Sequence, residues 1–316
     1  MQILNDFADA KLDRDTVATI GTYDGLHRGH QHLVGSLIAH AKEIGALSGL
    51  ITFHPHPRRV LHPELSTACL TTQNEKAALL REMGLDVLIV LHFTPDMSHT
   101  PAREFVRAAV EYLRMRELWV GADFALGRHR EGDVAALRRL AQELGFKLWV
   151  VEMVDNDEGL ISSTRIRALI LDGRVDKAAE LLGRPFSIVG KVMSGVMPGY
   201  QQILGPDFSS LELVVPFECL LPAGGTYAVR ALAGGQRHPA VLSIEASPCS
   251  NDGVGTVRVY LLKPGADLAG SDLVVQLIQR LRSEHLFETE EQLTAQILRD
   301  IQRARRILGV QAGEPS

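Results

Sequence analysis

The chain has 316 residues, a formal net charge of −5, 46% hydrophobic residues and 22% charged residues. This length suits about two globular domains, and the balanced composition excludes the disordered and fibrous classes. The mild acidity argues against a nucleic-acid binder, which normally carries a basic face. No apolar run reaches the roughly 18–20 residues of a membrane-spanning helix, and residues 1–15 are too acidic for an export signal. We therefore expect neither nucleic acid nor membrane as a partner.

The cysteines and histidines narrow the class further. Cys69, Cys219 and Cys249 are an odd number without CxxC spacing, which excludes a disulfide framework and a four-thiolate zinc site. A cytoplasmic protein is the expectation. All but two of the 12 histidines, His238 and His285, precede residue 131, so we expect the chemistry in the first half. The sequence leaves a homo-oligomer open.

Strand and helix patterns alternate in the first half. Short apolar or β-branched runs predict strands at 16–21, 50–53, 86–91, 118–121 and 147–151. Apolar residues at helical spacing predict helices at 30–44, 74–83, 102–113 and 134–144. This alternation predicts a doubly wound α/β domain, a parallel sheet with helices on both faces. Ligands of such sheets bind outside the carboxyl ends of the strands.

The pattern changes at Gly183-Arg184-Pro185, after helical segments at 162–171 and 174–182. Strands are then predicted at 186–192, 211–219, 226–233, 240–245 and 257–262, which favours a smaller antiparallel β-barrel or sandwich. Helices are predicted at 272–281 and 289–308. We therefore expect one domain at 1–185 and a second at 186–316.

The strongest motif is GTYDGLHRGH at residues 21–30, which follows a predicted strand and opens a predicted helix. Glycines at 21, 25 and 29 let the backbone approach phosphates, and the helix N-terminus offers free N–H groups. His27 and His30 add imidazole donors. A nucleoside triphosphate fits this pattern, whereas an isolated histidine pair would more often be surface or core decoration.

A second motif is GLISSTRIR at residues 159–167. Ser162, Ser163 or Thr164 can cap the following helix, and Arg165 or Arg167 can grip phosphate oxygens. An ordinary capped helix with solvated arginines is the alternative interpretation.

These two motifs resemble the G-x-F-D-G-x-H-x-G-H and I-S-S-T-x-I-R signatures of the bacterial bifunctional riboflavin kinase/FAD synthetases. The first domain of that family belongs to the HxGH nucleotidyltransferase superfamily. Three further segments resemble the family's motifs in the same order: FHPHP at 53–57, TTQNEK at 71–76 and GADFALG at 121–127.

The resemblance implies transfer of the adenylyl group of ATP to FMN, which yields FAD and pyrophosphate. It makes His27 and His30 the catalytic residues, with His30 facing the α-phosphate. It also implies an ATP site of Gly21, Tyr23, Asp24, Gly29, Ser163, Thr164 and Arg167, and a flavin site of Phe53, Pro55, His56, Pro57, Asp123 and Phe124. Mg²⁺ would be held mostly by water and substrate oxygens, so no residue is assigned as a metal ligand.

The second domain resembles the family's riboflavin kinase barrel at 220–230 and 280–287 but departs from its catalytic motifs. Phe208 and Ser210 stand where the family's G-F-P-T-A-N segment has its Thr and Asn, and Arg258 stands where a Glu base is expected. Because Arg stays protonated, it cannot accept the proton of the ribityl hydroxyl. We therefore expect the kinase activity to be absent or severely reduced.

Several alternatives stay open at this point. One is a fully bifunctional riboflavin kinase/FAD synthetase, in which Glu245 or Asp252 replaces the lost base. Others are a non-catalytic flavin- or nucleotide-binding relative, and an enzyme that uses a different acceptor. A metalloenzyme would use His27, His30, His54 and His56 as ligands, with Asp24 as an additional one.

Overall fold

The computed structural model describes residues 1–64, 68–152, 154–193, 209–245, 256–262, 268–285 and 289–310. The chain divides into two compact units, Met1–Ser163 and Thr164–Ser316. No helix in the described ranges is both long and apolar enough to cross a membrane.

The first unit is built on a six-stranded sheet in which every pair is parallel. In chain order the strands of this unit are β1 (Gln2–Leu4), β2 (Thr16–Ile20), β3 (Leu47–His54), β4 (Val87–His92), β5 (Met115–Gly121), β6 (Ala125–Leu126), β7 (Gly132–Asp133), β8 (Lys147–Val151), β9 (Asp155–Asn156) and β10 (Gly159–Leu160). The sheet has the spatial order β1-β4-β3-β2-β5-β8, while β6–β7 and β9–β10 form separate two-stranded pairs.

The helices of this unit are α1 (Arg28–Glu43), α2 (Pro57–Leu61), α3 (Gln73–Glu82), α4 (Pro95–Ser98), α5 (Ala102–Tyr112) and α6 (Val134–Leu144). They cover both faces of the sheet. Ile51 packs in a core cluster with residues of α5 and α6, whereas its neighbour Leu50 packs with residues of α1 and α3. All five residues of β2 are buried, as expected for a strand covered on both faces. The predicted doubly wound class is confirmed.

The strand order reverses at β2, which lies between β3 and β5. The chain leaves β2 toward β3 and β4 on one side and later returns to β5 on the other. Such a reversal opens a crevice at the carboxyl ends of the two strands, where α/β sheets bind ligands. The motif at 21–30 starts at this position.

The second unit contains α7 (Ser163–Leu171), which starts at the unit boundary, and α8 (Val175–Leu182), followed by a closed antiparallel barrel and a last helix. The barrel strands are β11 (Phe186–Val192), β12 (Ser209–Val214), β13 (Gly225–Ala233), β14 (Gln236–Glu245), β15 (Thr256–Leu261) and β16 (Asp272–Ser283). Their spatial order is β11-β12-β15-β14-β13-β16. Helix α9 (Glu290–Leu308) packs Ile297, Ile301 and Ala304 on the outside of the barrel against Val241 and Tyr260. The predicted barrel and C-terminal helix are confirmed.

The helix predicted at 272–281 is wrong, because these residues form the strand β16. Leu273, Val275 and Leu277 are buried in alternation, and β16 pairs with both β11 and β13. The run DLVVQLIQRL satisfies the helical and the alternating pattern at once, and closure of the barrel selects the strand. The strand predicted at 211–219 ends at Val214, shortly before Pro216, which cannot donate to a ladder.

Candidate active site of the first unit

The loop between β2 and α1 carries the strongest motif. His27 is the N-cap of α1, and its Nδ1 accepts the N–H of His30 at 3.4 Å. The helix starts at Arg28, two residues before the predicted start. The first turn of a helix presents backbone N–H groups and a positive dipole end, which together favour an anion.

His27 and His30 stack on each other, with ring centroids 3.6 Å apart and an interplanar angle of 19°. His27 is 6% exposed, and His30 packs edge-on against Tyr23 at 4.9 Å. Desolvation lowers the pKa of His30 well below its ordinary value, and the neighbouring His27 and Lys76 lower it further. His30 is therefore neutral near pH 7. Its Nδ1 atom is buried and has no hydrogen-bond partner within the described part of the chain.

Tyr23 is buried in the loop beneath these histidines. Its hydroxyl shares a hydrogen bond with the Thr19 hydroxyl, and burial raises the pKa of the phenol above its ordinary value. A Cβ atom on Gly21 would lie 2.9 Å from the Tyr23 ring, so glycine is needed there for packing. Tyr23 therefore supports His30 and the loop.

Asp24 is 3% exposed, and its carboxylate is directed at the backbone of a neighbouring segment. Its Oδ1 accepts the N–H of Leu70 at 2.9 Å and the N–H of Thr71 at 3.3 Å. The Asp24 carbonyl accepts a hydrogen bond from the Ser163 hydroxyl at 2.9 Å. The Ser163 hydroxyl thus contacts the loop backbone, while the Asp24 carboxylate anchors the loop to residues 70–71.

The structure places the two predicted flavin-side aromatics on one hydrophobic cluster. Phe53 packs edge-on against Phe93, with ring centroids 5.7 Å apart. Both Phe53 and Phe124 lie against the hydrophobic core that includes Phe105. Asp123 is exposed, and its carbonyl accepts a hydrogen bond from Arg130 at 3.3 Å.

The other predicted flavin residues surround the start of α2. The His54–Pro55 peptide is cis, and His56 is the N-cap of α2, with its Nδ1 accepting the Arg58 N–H at 3.1 Å. Pro57 is the first residue of that helix. Thr164 and Arg167 lie on α7 in the second unit.

Sequence reasoning missed the role of Lys76. Lys76 is 6% exposed, and its ammonium donates to the Thr22 carbonyl at 2.6 Å and to the Thr52 hydroxyl at 3.4 Å. Burial lowers the pKa of Lys76, while the charges of Asp24 and Cys69 oppose that shift. The signal was present in the TTQNEK motif, to which no role had been given.

The metalloenzyme alternative has no ligand cluster in the described ranges. No group of three or more His, Cys, Asp or Glu side chains is placed there to hold a metal ion. The Nδ1 of His27 and the Nδ1 of His56, two of the ligands this alternative would use, cap helices.

In the barrel, Arg258 forms an ion pair with Glu245, with Nη1 2.7 Å from Oε1. Ser210 is 3% exposed, and its hydroxyl has no hydrogen-bond partner among the residues described. Phe208 and Asp252 lie outside the described residues.

The first unit is thus a doubly wound sheet with paired histidines at its switch point, and the second unit contains a closed antiparallel barrel. A sequence model of the FAD synthetase family matches residues 9–165, and one of the riboflavin kinase family matches residues 182–308. The chain belongs to the bifunctional riboflavin kinase/FMN adenylyltransferase family.

Individual relatives support this assignment along most of the chain. The bifunctional riboflavin kinase/FMN adenylyltransferase of Pseudomonas fluorescens is 35% identical over 296 residues, covering 93% of each chain. The protein of the same name from Escherichia coli K12 is 32% identical over 297 residues, again covering 93% of each. A crystal structure described as a macrolide-efflux protein from Streptococcus pneumoniae superposes with a TM-score of 0.86 at 26% identity, covering 96% of this chain and 98% of the other.

The family recognised from the motifs is thereby confirmed. For the second half, the match to the riboflavin kinase model favours the fully bifunctional alternative over a degenerate kinase. None of the comparisons indicates that kinase activity is lost.

Proposed function

We propose that the chain transfers the adenylyl group of ATP to FMN, with residues 1–185 as the adenylyltransferase domain and residues 186–316 as the riboflavin kinase-like domain. The observation that carries this proposal is the stacked pair His27–His30 at the N-terminus of α1, at the carboxyl end of β2. ATP and the flavin are then its small-molecule partners, and a cytoplasmic location is part of the proposal.

The reaction depends on the positioning of the two substrates more than on proton transfer. An oxygen of the FMN phosphate attacks the α-phosphorus of ATP in line, and the bond from that phosphorus to the bridging oxygen of the β-phosphate breaks. Pyrophosphate leaves with the bonding electron pair. The second pKa of a phosphate monoester is about 6, so the attacking oxygen is ionised near pH 7 and no general base is needed. The protein has to hold two anions in line and stabilise the charge that develops.

Neutral imidazoles suit that task as hydrogen-bond donors. Because the Nδ1 of His27 accepts a backbone N–H, the proton of the neutral ring is on Nε2, which can donate to a phosphate oxygen. His30, kept neutral by desolvation, faces the α-phosphate in our proposal. The backbone at Gly21 and Gly29 and the N-terminus of α1 complete the anion site.

The remaining site residues follow the family's motifs. The resemblance assigns the β- and γ-phosphates to Ser163, Thr164 and Arg167. It assigns the flavin to Phe53, Asp123, Phe124 and the segment 55–57. We assign Tyr23 and Asp24 to shaping the loop, because both are buried and bonded within the protein.

Magnesium fits this arrangement as an ion carried by the nucleotide. Mg²⁺ keeps several waters and binds readily through substrate phosphates. The nearby carboxylate of Asp24 is already bonded to two backbone N–H groups, so the phosphates and water would supply most of the ligands. When bound, the ion neutralises phosphate charge.

The test is an assay with FMN and ATP that follows both FAD and pyrophosphate. We expect the two products in equal amounts from the wild-type protein. His30→Gln should lower kcat by about 10²–10³-fold, the usual effect of losing one donor to a developing charge. His32→Gln is the matched control, since His32 lies on the same helix but is exposed. Wild-type protein that forms no FAD, or a His30→Gln variant as fast as His32→Gln, contradicts the proposal.

Riboflavin phosphorylation by the second unit is a second candidate function, favoured by the family match over residues 182–308. Arg258 stands at the position expected for the family's base and forms an ion pair with Glu245, the carboxylate that could replace that base. We expect FMN from riboflavin, ATP and Mg²⁺ under conditions where the same sample makes FAD from FMN. A sample that makes FAD from FMN but no FMN from riboflavin would contradict this second function.

A further inference from the structure

The loop at the start of the active site holds a backbone conformation that its residues do not favour. Tyr23 has φ +47° and Leu26 has φ +39°, in the left-handed region that non-glycine residues rarely occupy. Such residues persist only where the surroundings determine their conformation. The loop therefore needs anchors outside itself.

One segment supplies several of these anchors. Residues 70–76, which we name the clamp segment, contact the loop through hydrogen bonds of residues 70–71 and of the Lys76 ammonium. The Asp24 carboxylate accepts the N–H groups of Leu70 and Thr71, and the Gly25 N–H donates to the Thr71 hydroxyl at 3.1 Å. Lys76 then holds the Thr22 carbonyl.

Lys76 is placed by the helix that follows the clamp. Thr72 caps α3 in a capping box with Glu75. This capping box fixes the first turn of the helix and therefore the backbone position from which the Lys76 side chain extends. The ammonium reaches the Thr22 carbonyl at 2.6 Å, and the Thr52 hydroxyl donates to the same carbonyl at 3.2 Å. Thr52 is fully buried on β3. One backbone carbonyl in the strained loop is thus held by two buried side chains.

A lysine in this position is costly for the fold. Taking an ammonium out of water is unfavourable, and a methionine of similar length would fill the space without that cost. The energetic cost of burial is visible in the lowered pKa of Lys76. Stability alone does not explain the residue, because a buried ammonium together with the carboxylate that favours it can often be replaced by apolar side chains without loss of stability.

We propose that Lys76 is a positioning residue for adenylyl transfer: it holds the Thr22 carbonyl and thereby keeps the loop at residues 21–30 in the shape that receives the phosphates of ATP. This inference rests on the proposed function. Lys76 acts through the loop backbone, which it contacts directly, and Thr52 assists it.

The test compares Lys76→Met, Lys76→Arg and Thr52→Val with the control Lys42→Met, in which an exposed lysine of α1 is changed. Misplacement of reacting groups by about 1 Å can cost 10²-fold, so we expect Lys76→Met to lower kcat/KM for ATP by about that factor. Lys76→Arg keeps a charged donor and should recover part of the loss, and Thr52→Val should give a smaller loss than Lys76→Met. Lys42→Met should match the wild type.

A second readout does not depend on activity. Amide hydrogen exchange in Lys76→Met should accelerate at residues 22–26 and not throughout the first unit, even where the urea midpoint measured by tryptophan fluorescence falls because Asp24 loses the ammonium that its charge favours. A Lys76→Met variant that keeps kcat/KM within about threefold of the wild type overturns the proposal. So does a loss of activity accompanied by a lowered urea midpoint and faster exchange throughout the first unit, because that pattern describes a merely structural residue.

The two readouts separate this inference from the function on which it rests. Wild-type protein that forms no FAD contradicts the proposed function. The exchange experiment still decides whether Lys76 holds the loop, since unchanged exchange at residues 22–26 in Lys76→Met refutes that contact as an anchor.

Discussion

Replacing Asp24 by alanine distinguishes an anchor of the loop from a ligand of ATP. The carboxylate accepts two buried backbone N–H groups, those of Leu70 and Thr71. Leaving a buried donor unsatisfied costs about 1–3 kcal/mol, so the two donors together predict a loss of about 2–6 kcal/mol in the free energy of unfolding of the first unit. The loss should lie toward the upper end, because the Asp24 charge also favours the buried ammonium of Lys76.

The two tryptophans of the chain make this measurement specific to one unit. Trp119 and Trp149 both lie in the first unit, so urea denaturation followed by tryptophan fluorescence reports that unit alone. This matters because a single two-state transition cannot be assumed for a chain with two compact units. Asp24→Asn keeps one acceptor oxygen and should lose less stability than Asp24→Ala. Asp13→Ala, at an exposed carboxylate, is the control and should change stability by less than about 0.5 kcal/mol.

Isothermal titration with ATP completes the experiment. If Asp24 anchors the loop, Asp24→Asn should bind ATP with nearly wild-type affinity, measured without urea at a temperature where the variant is folded. An Asp24→Ala variant with wild-type stability and a large loss of ATP affinity would refute the reasoning, because the carboxylate would then act on the ligand and not on the N–H groups of residues 70–71.

Three further predictions concern stability. The pKa of His30 is lowered in the folded state, so the stability that its neutral form contributes is present above about pH 6.5 and is lost as the pH falls toward the folded pKa, because the unfolded chain then binds the proton first. The urea midpoint of the wild type should therefore drop more between pH 7 and pH 5 than that of His30→Gln, and equal drops would contradict the lowered pKa. Asp300→Ala removes the buried carboxylate that accepts from Arg282 at 2.8 Å and from Gln296 at 2.9 Å, and should destabilise the second unit by about 3 kcal/mol, measured by circular dichroism, with the tryptophan transition unchanged. Gly127→Ala should lower the melting temperature of the first unit, because Gly127 has φ +76° and a Cβ atom there would lie 2.6 Å from the Ala102 nitrogen; an unchanged melting temperature would show that the backbone can shift.

The fold class could be predicted because its signals are local. Strand β2 reads as an uninterrupted buried run, and α1 shows Leu33, Leu37 and Ala41 at helical spacing. Strand β16 could not be predicted, since its sequence satisfies two periodicities at once. What decides between them is pairing with β11 and β13, strands that begin 86 and 47 residues earlier in the chain (272 − 186 and 272 − 225).

The same distinction explains which parts of the candidate site were found. His27 and His30 are three residues apart and share one turn of a helix, so the motif alone places their rings together. The partners of the loop are remote: Thr71 is 46 residues from Gly25, and Lys76 is 54 residues from Thr22. No periodicity within a single segment reports a bond across that distance.

A motif therefore identifies the groups that can meet a phosphate, but it does not say what holds them in place. Tyr23 and Asp24 show the consequence. Both belong to the motif and were assigned to ATP, yet both are buried and bonded to protein groups, Tyr23 to Thr19 and Asp24 to residues 70–71. Because residues with left-handed backbone angles cost conformational energy, some residues of the motif have to hold the loop in that shape. In the proposed site, the residues left to act on the nucleotide are then the ones at the helix start, where the histidines and the backbone N–H groups would face the same anion.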